Sequence, residues 1–228
     1  MGLILVNGVM MNKPHLFPTE RDRLARLFAE IASDAGVAVM EVYATDFEAR
    51  TKADSSPVSD ADERAEEIIL KRLAEALPGV GVLAEEECAR DGIGEAREGT
   101  FLLVDPVDGT KEFLKRNGQF TVNIALVEAG RPIVGCVFAP ARKDMYFGGA
   151  GARLISGFEA GAAVGADDGR ILRTREYPAD GLIAVTSSSH LDEQTKAFLA
   201  VRKIAGSTAI GSSLKFCLVA AGEADIYP

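Results

Sequence analysis

Tryptophan is absent from the 228 residues, and histidine occurs only twice. The three cysteines, Cys88, Cys136 and Cys217, are odd in number and far apart. That spacing gives no zinc-type cluster and no disulfide framework, and it fits a reducing cytoplasm. Basic residues are outnumbered, 25 Lys and Arg against 34 Asp and Glu, for a formal charge of −9. A general grip on a nucleic-acid polymer needs the opposite balance. A small anionic ligand stays open, because bound cations invert the local field. No apolar run is long enough to cross a bilayer. The partly apolar residues 1–11 lack a basic leader and a cleavage site. We read 1–17 as an irregular leader, with no stable membrane insertion and with peripheral inner-membrane association left open. There is no G-x-S-x-G nucleophile elbow, no P-loop, no Rossmann fingerprint and no 20–50-residue repeat.

What is present is the balance of a soluble globular protein, 47% hydrophobic and 26% charged. The length allows one large domain or two smaller ones with a real core. From Thr19, Leu24, Leu27, Phe28, Ile31 and Ala35 recur at helical spacing, with Gly36 interrupting near the end. A second helix is expected after Ser59, with Asp62 in its first turn. It carries Ala65, Ile68, Ile69, Leu73 and Leu77 on one face and stops at Pro78-Gly79. Residues 80–83 read as a strand ending in Glu85-Glu86-Glu87, and 101–104 as a buried strand broken by Pro106. Residues 121–127 and 133–139 suggest a hairpin around Ala129-Gly130, with 145–147 as a third strand. The stretch 148–169 has little pattern and suits a domain junction. Beyond it we expect a strand at 182–186, a helix at 192–201, a helix after Gly211-Ser212-Ser213 and a strand start at 224–227.

The strongest chemical signal is Asp105-Pro106-Val107-Asp108-Gly109-Thr110. Hard divalent cations take clustered carboxylate oxygens, and phosphate takes backbone N–H groups at a loop or helix start. Six residues offer both, which points to a metal-dependent phosphate-ester hydrolase. A lone D-x-x-D pair is more often a solvated turn; the full string after a strand carries the assignment. Glu85 also follows a strand, so neighbouring strands can join it to Asp105 and Asp108 at the sheet edge where α/β ligands bind. The Val107 carbonyl adds a neutral oxygen. A threonine hydroxyl held by a carboxylate can accept a water proton, which draws attention to Asp62 and Thr110. From spacing alone Asp62 only decorates a helix start. Gly211-Ser212-Ser213-Leu214-Lys215 offers N–H groups, hydroxyls and a lysine charge for a second phosphate, or an ordinary helix cap with an exposed lysine. His190 ends a serine run and is either a loop residue or a nucleotide contact.

These blocks, with Asp54-Ser55-Ser56-Pro57-Val58-Ser59 and the strings 108–126 and 211–220, resemble the lithium-sensitive, magnesium-dependent phosphatase superfamily. Its members include inositol monophosphatases, fructose-1,6-bisphosphatases and bisphosphate nucleotidases, and the resemblance to the bisphosphate nucleotidases covers about residues 19–228. It implies an α/β fold, a layered αβαβα sandwich. Its parts are the leader 1–17, an α+β metal-binding domain at 18–155 and an α/β substrate domain at 156–228. It implies that Glu85, Asp105, Asp108 and the Val107 carbonyl bind two or three Mg²⁺ ions. It places Asp62 beside Thr110 to activate water, with Glu85 also in the catalytic set. The Gly109 and Thr110 amides then hold the scissile phosphate, Ser212 and Lys215 the 5′-phosphate, and His190 lies near the nucleotide. The implied reaction takes the 3′-phosphate from adenosine 3′,5′-bisphosphate in a cytoplasmic monomer or homodimer. The family pattern runs on past Pro228 to a Trp-Asp-x-Ala-Ala-Gly helix with a further metal-binding aspartate, so the C-terminal part is expected to be incomplete. Two other readings share this site: an inositol-phosphate or fructose-bisphosphate phosphatase, and a non-catalytic nucleotide-binding module if the chain ends at Pro228.

Overall fold

The computed structural model describes residues 5–6, 9–10, 16–45, 49–51, 57–91, 99–188 and 192–228. Its elements run β1 (Leu5–Val6), β2 (Val9–Met10), α1 (Pro18–Tyr43), β3 (Ala49–Thr51), β4 (Pro57–Ser59), α2 (Asp60–Ala76), β5 (Gly81–Ala84) and α3 (Glu85–Asp91). Then come β6 (Thr100–Asp108), α4 (Thr110–Leu114), β7 (Thr121–Glu128), β8 (Arg131–Ala139), β9 (Asp144–Gly148) and β10 (Ala152–Ser156). The chain finishes with β11 (Arg170–Ile171), β12 (Leu182–Ser187), α5 (Glu193–Ala200), β13 (Ile204–Ile210) and α6 (Leu214–Ala220). The segment expected to be an irregular leader contains the antiparallel β1–β2 pair.

The centre is a seven-stranded sheet in the order β11-β10-β9-β8-β7-β6-β5. Only β5 and β6 pair in parallel; the other neighbours are antiparallel. Helices α1 and α2 cover one face, where Phe28, Ile31, Ile69, Leu102, Ile124 and Phe138 form the main core. The other face carries Tyr146 and Leu154, which pack with Val185, Ile210, Leu214 and Cys217. Those residues belong to α6 and to β12–β13, a separate parallel pair. The class is therefore the mixed α/β expected. The boundary expected at residue 155 falls within β10, and β11 then returns to the edge of the large sheet.

Several elements differ from expectation, each for a local reason. Gly36 was expected near the end of the first helix, yet α1 runs on to Tyr43. Proline at its first position and the Glu20 carboxylate, which accepts the Phe17 N–H at 2.7 Å, start it firmly. Gly36 serves packing instead: a Cβ there would lie 2.4 Å from Cε1 of Phe138. The Phe138 ring is wholly buried and stands edge-on to Phe158 at 5.6 Å. Glycine to alanine usually favours a helix. Here Gly36→Ala is expected to destabilise the protein by about 1–3 kcal/mol through overpacking. Urea unfolding checks it, and an unchanged midpoint refutes it.

The acidic run after β5 opens a helix, α3, that the sequence reading does not mark, and the low-pattern stretch contains β10. Strand β13 escaped notice because its sequence, Ile-Ala-Gly-Ser-Thr-Ala-Ile, has small residues and little alternation. The strand start expected at 224–227 is a single parallel bridge between Ala184 and Ile226. Pro106 does not end its strand. Strand β6 continues to Asp108 with an irregularity: three steps from Asp105 to Asp108 oppose two from Asn123 to Thr121. Proline gives no N–H to a ladder and is tolerated at such a bulge. No helix among the described residues is long and apolar enough to cross a membrane.

Candidate active site

The bulge in β6 creates the site. In a regular strand, residues three apart point to opposite faces. One extra residue cancels that inversion, so Asp105 and Asp108 turn to the same side. The parallel register pairs Ala84 with Val104, so Glu85, the first residue of α3, leaves the end of β5 beside Asp105 of β6. Asp62 comes from the first turn of α2 and is only 2% exposed.

These four carboxylates act on one another through Asp105. Burial pushes the Asp105 carboxyl up to about 9, helped by the charges of Glu85 and Asp108, a hydrogen bond with Glu85 and the charge of Asp62. Asp105 Oδ1 is buried without a hydrogen-bond partner. Among the described residues no three acidic, histidine or cysteine side chains stand close enough to make a finished metal cluster. The donors brought together are all oxygens, and one of them is orphaned in a negative pocket. That set fits a hard divalent cation such as Mg²⁺ rather than a soft one.

Glu66 was missed from the sequence. It lies one helical turn after Asp62, on the same face of α2, and is 5% exposed. Its Oε2 accepts the Glu86 N–H at 2.8 Å, and it also accepts the backbone N–H of Glu87. Burial pushes its carboxyl up against those bonds. A carboxylate from α2 thus caps α3 and fixes where Glu85 stands. The i, i+4 spacing from Asp62 was the available signal.

The turn that follows β6 needs its glycine. Gly109 has φ +93°, and a Cβ there would lie 3.0 Å from the Gln119 carbonyl oxygen and 3.3 Å from Ser212 Cβ. Thr110 opens α4, and its hydroxyl donates to the Val107 carbonyl at 3.4 Å.

The start of α6 lies against one of these carboxylates, Asp108. Asp108 Oδ2 accepts hydrogen bonds from Ser212 Oγ at 2.9 Å, Ser213 N at 2.6 Å and Ser213 Oγ at 2.7 Å. Ser212 Oγ also lies 2.6 Å from Thr121 Oγ1. Lys215, 8% exposed, donates from Nζ to the Ser212 carbonyl and sits 5.4 Å from the centre of the Tyr227 ring. The Gly211 N–H donates to Gln119 Oε1 at 2.9 Å, tying this entry to the loop after α4. Sequence reasoning offered the Ser212 and Ser213 hydroxyls and Lys215 to a second phosphate, but missed that both hydroxyls turn to Asp108, and missed Thr121 and Asn123. His190 lies outside the described residues.

A cavity of about 640 Å³ begins at Asp105, Asn123 and Ser213 and runs between the sheet and α6. Cys136 and Cys217 line it. Burial pushes both thiols up, that of Cys217 to about 12, so they stay protonated near neutral pH.

A sequence profile of the Inositol monophosphatase family matches residues 20–228. The chain belongs to the inositol monophosphatase family. Within it, the 3′(2′),5′-bisphosphate nucleotidase CysQ of Salmonella typhimurium is 41% identical over 201 residues, 87% of this chain and 77% of the relative. The protein of the same name from Buchnera aphidicola is 35% identical, covering 96% of this chain and 80% of that one. The crystal structure of CysQ from Bacteroides thetaiotaomicron superposes with a TM-score of 0.72 at 35% identity, over 91% of this chain and 79% of that chain. An IMPase from Thermotoga maritima, 23% identical, shares the fold with a TM-score of 0.70 over 90% of this chain and 75% of that chain.

Proposed function

We propose that this protein is a magnesium-dependent 3′(2′),5′-bisphosphate nucleotidase. It removes the 3′-phosphate of adenosine 3′,5′-bisphosphate to give AMP and phosphate. The observation that carries this reading is a buried Asp105 carboxyl, one oxygen unpartnered, that feels the charges of Glu85, Asp108 and Asp62, in a chain 41% identical to a bisphosphate nucleotidase.

Glu85, Asp105, Asp108 and the Val107 carbonyl hold the Mg²⁺ ions. Bound Mg²⁺ supplies a water of lowered pKa and neutralises charge on the phosphate. The chain's own groups do the rest. Asp62 and Thr110 orient the attacking water and take its proton. The Gly109 and Thr110 amides hold the phosphate for in-line attack; the bond from phosphorus to the 3′-oxygen breaks, and that oxygen takes a proton from solvent while the proton lost by the attacking water returns to solvent. Lys215 holds the 5′-phosphate beside Ser212, whose own hydroxyl proton is spent on Asp108, and His190 contacts the nucleotide. The partner is a small nucleotide bisphosphate, met in the cytoplasm by a monomer or homodimer.

A phosphate-release assay tests this with adenosine 3′,5′-bisphosphate, inositol 1-phosphate and fructose 1,6-bisphosphate side by side. We expect turnover of the nucleotide that requires Mg²⁺, falls with Li⁺ and exceeds that of either sugar phosphate by about 10-fold or more. Preference for a sugar phosphate would sink the substrate assignment. Absence of any metal-dependent turnover would sink the enzyme.

A further inference from the structure

The hydrogen bonds on Asp108 have a direction, and it is set from β7. Thr121 and Asn123 stand two residues apart on β7 and so share a face. Asn123 Nδ2 can only donate, and it lies 3.0 Å from Ser213 Oγ. Ser213 Oγ therefore accepts there, and its own proton is left for Asp108 Oδ2. Ser212 gives its proton to the same Oδ2, so the Thr121 hydroxyl is the donor in the 2.6 Å contact between them. The Ser213 N–H is shared between Asp108 Oδ2 and Ser212 Oγ, each at 2.6 Å.

Two serine hydroxyls and one backbone amide thus converge on one carboxylate oxygen. An ionised carboxylate has about two acceptor sites per oxygen, so Oδ2 is filled. The backbone is bent to achieve this. Ser212 sits at φ +61°, a left-handed conformation that residues with a Cβ rarely adopt. Lys215 Nζ holds the carbonyl of that same residue.

We infer that Ser213, backed by Asn123 and acting with Ser212 and Thr121, is a positioning residue for Asp108. The network occupies Oδ2 and leaves Oδ1 as the oxygen that faces a cation. The start of α6 thereby sets the affinity of the metal site, although it supplies no ligand to it. This rests on the metal-dependent reading above. Outer hydrogen bonds of this kind commonly change metal affinity by about 10–100-fold.

The test is Mn²⁺ binding to the whole protein, followed by loss of the free-ion electron paramagnetic resonance signal. Ser213→Ala is expected to weaken binding by about 10-fold, and Ser213→Thr, which keeps a hydroxyl, to restore most of it. Asn123→Ala is expected to weaken binding by about 3-fold alone and to add nothing in the Ser213→Ala background. The double variant matters because Asn123 is also the ladder neighbour of Asp105. Full additivity would place its action there and overturn the relay. Mn²⁺ affinity unchanged in Ser213→Ala overturns the inference while leaving the enzyme reading standing. A wild-type protein that binds no Mn²⁺ overturns both. Should Ser213→Ala fail to fold, Ser213→Cys carries the test, since it keeps the shape of the side chain and replaces the hydroxyl by a weak donor. A loss of affinity then supports the inference, and no loss overturns it.

Discussion

Asp105→Asn is expected to lower Mg²⁺-dependent phosphate release by about 10³-fold or more, the worth of several kcal/mol of metal assistance. The same substitution is expected to raise the melting temperature of the metal-free protein at pH 8. Asparagine keeps the shape of the side chain but not its charge. In the wild type, burial and the neighbouring Glu85 and Asp108 hold the carboxyl protonated up to about pH 9. An unfolded chain would ionise it near pH 4. Folding at pH 8 must therefore take up a proton, and asparagine removes that cost. At pH 4 the unfolded carboxyl is already about half protonated, and most of the gain disappears. Each kcal/mol moves the midpoint by about 2–4 °C in a protein of this size. Calorimetry at the two pH values reads the stability arm, and a phosphate assay reads the other. A variant that keeps a tenth of the activity, or melts like the wild type at pH 8, contradicts the assignment. The opposed signs are the point: residues placed for function often sit where stability alone would not put them.

The legible parts of this molecule were those whose cause is local. The stripe of Ala65, Ile69 and Leu73 fixes α2 and its buried face. The turn at Ala129-Gly130 fixes the β7–β8 hairpin, with both residues at positive φ. The Asp105–Thr110 string points to metal and phosphate chemistry from its own residues. What the sequence hid depends on contacts far along the chain. Gly36 reads as a helix stop until Phe138, from a distant strand, is seen against it. Pro106 reads as a strand break until the register with β7 shows a bulge. Glu66 looks like one more charge on a helix until Glu86 presents its N–H. Ser213 looks like a helix cap, yet its side chain is spent on an aspartate 105 residues earlier. Small residues and long-range pairing carry no local signature, so the bulge, the cap and the serine network had to be seen.

Metal removal is expected to have an effect that grows with pH. In EDTA, the stability of the protein should fall as pH rises from about 4 toward 9. The sign follows from proton counting. Between the unfolded value of Asp105 near 4 and its folded value of about 9, the folded state binds the extra proton. Stability then declines with pH across that window and flattens beyond it. Glu66, whose carboxyl burial also raises, adds in the same direction. Asp192 and Asp225 are shifted down by their hydrogen bonds, so their contributions are lost only on strong acidification, outside this window. Mg²⁺ binds the ionised carboxylates and competes with the proton. Its stabilisation follows the ratio of free ion to dissociation constant, about 2.7 kcal/mol at a hundredfold excess. That amounts to roughly 5–10 °C in melting temperature. The curves with Mg²⁺ and with EDTA should therefore converge at pH 5 and separate progressively toward pH 9. Parallel curves would mean that Asp105 does not titrate against the metal. In Asp105→Asn the gap between the curves should shrink and its dependence on pH should largely vanish. That second result separates loss of this carboxylate from a general effect of Mg²⁺ on an acidic surface, because substituting one buried side chain leaves the remaining surface charge unaltered.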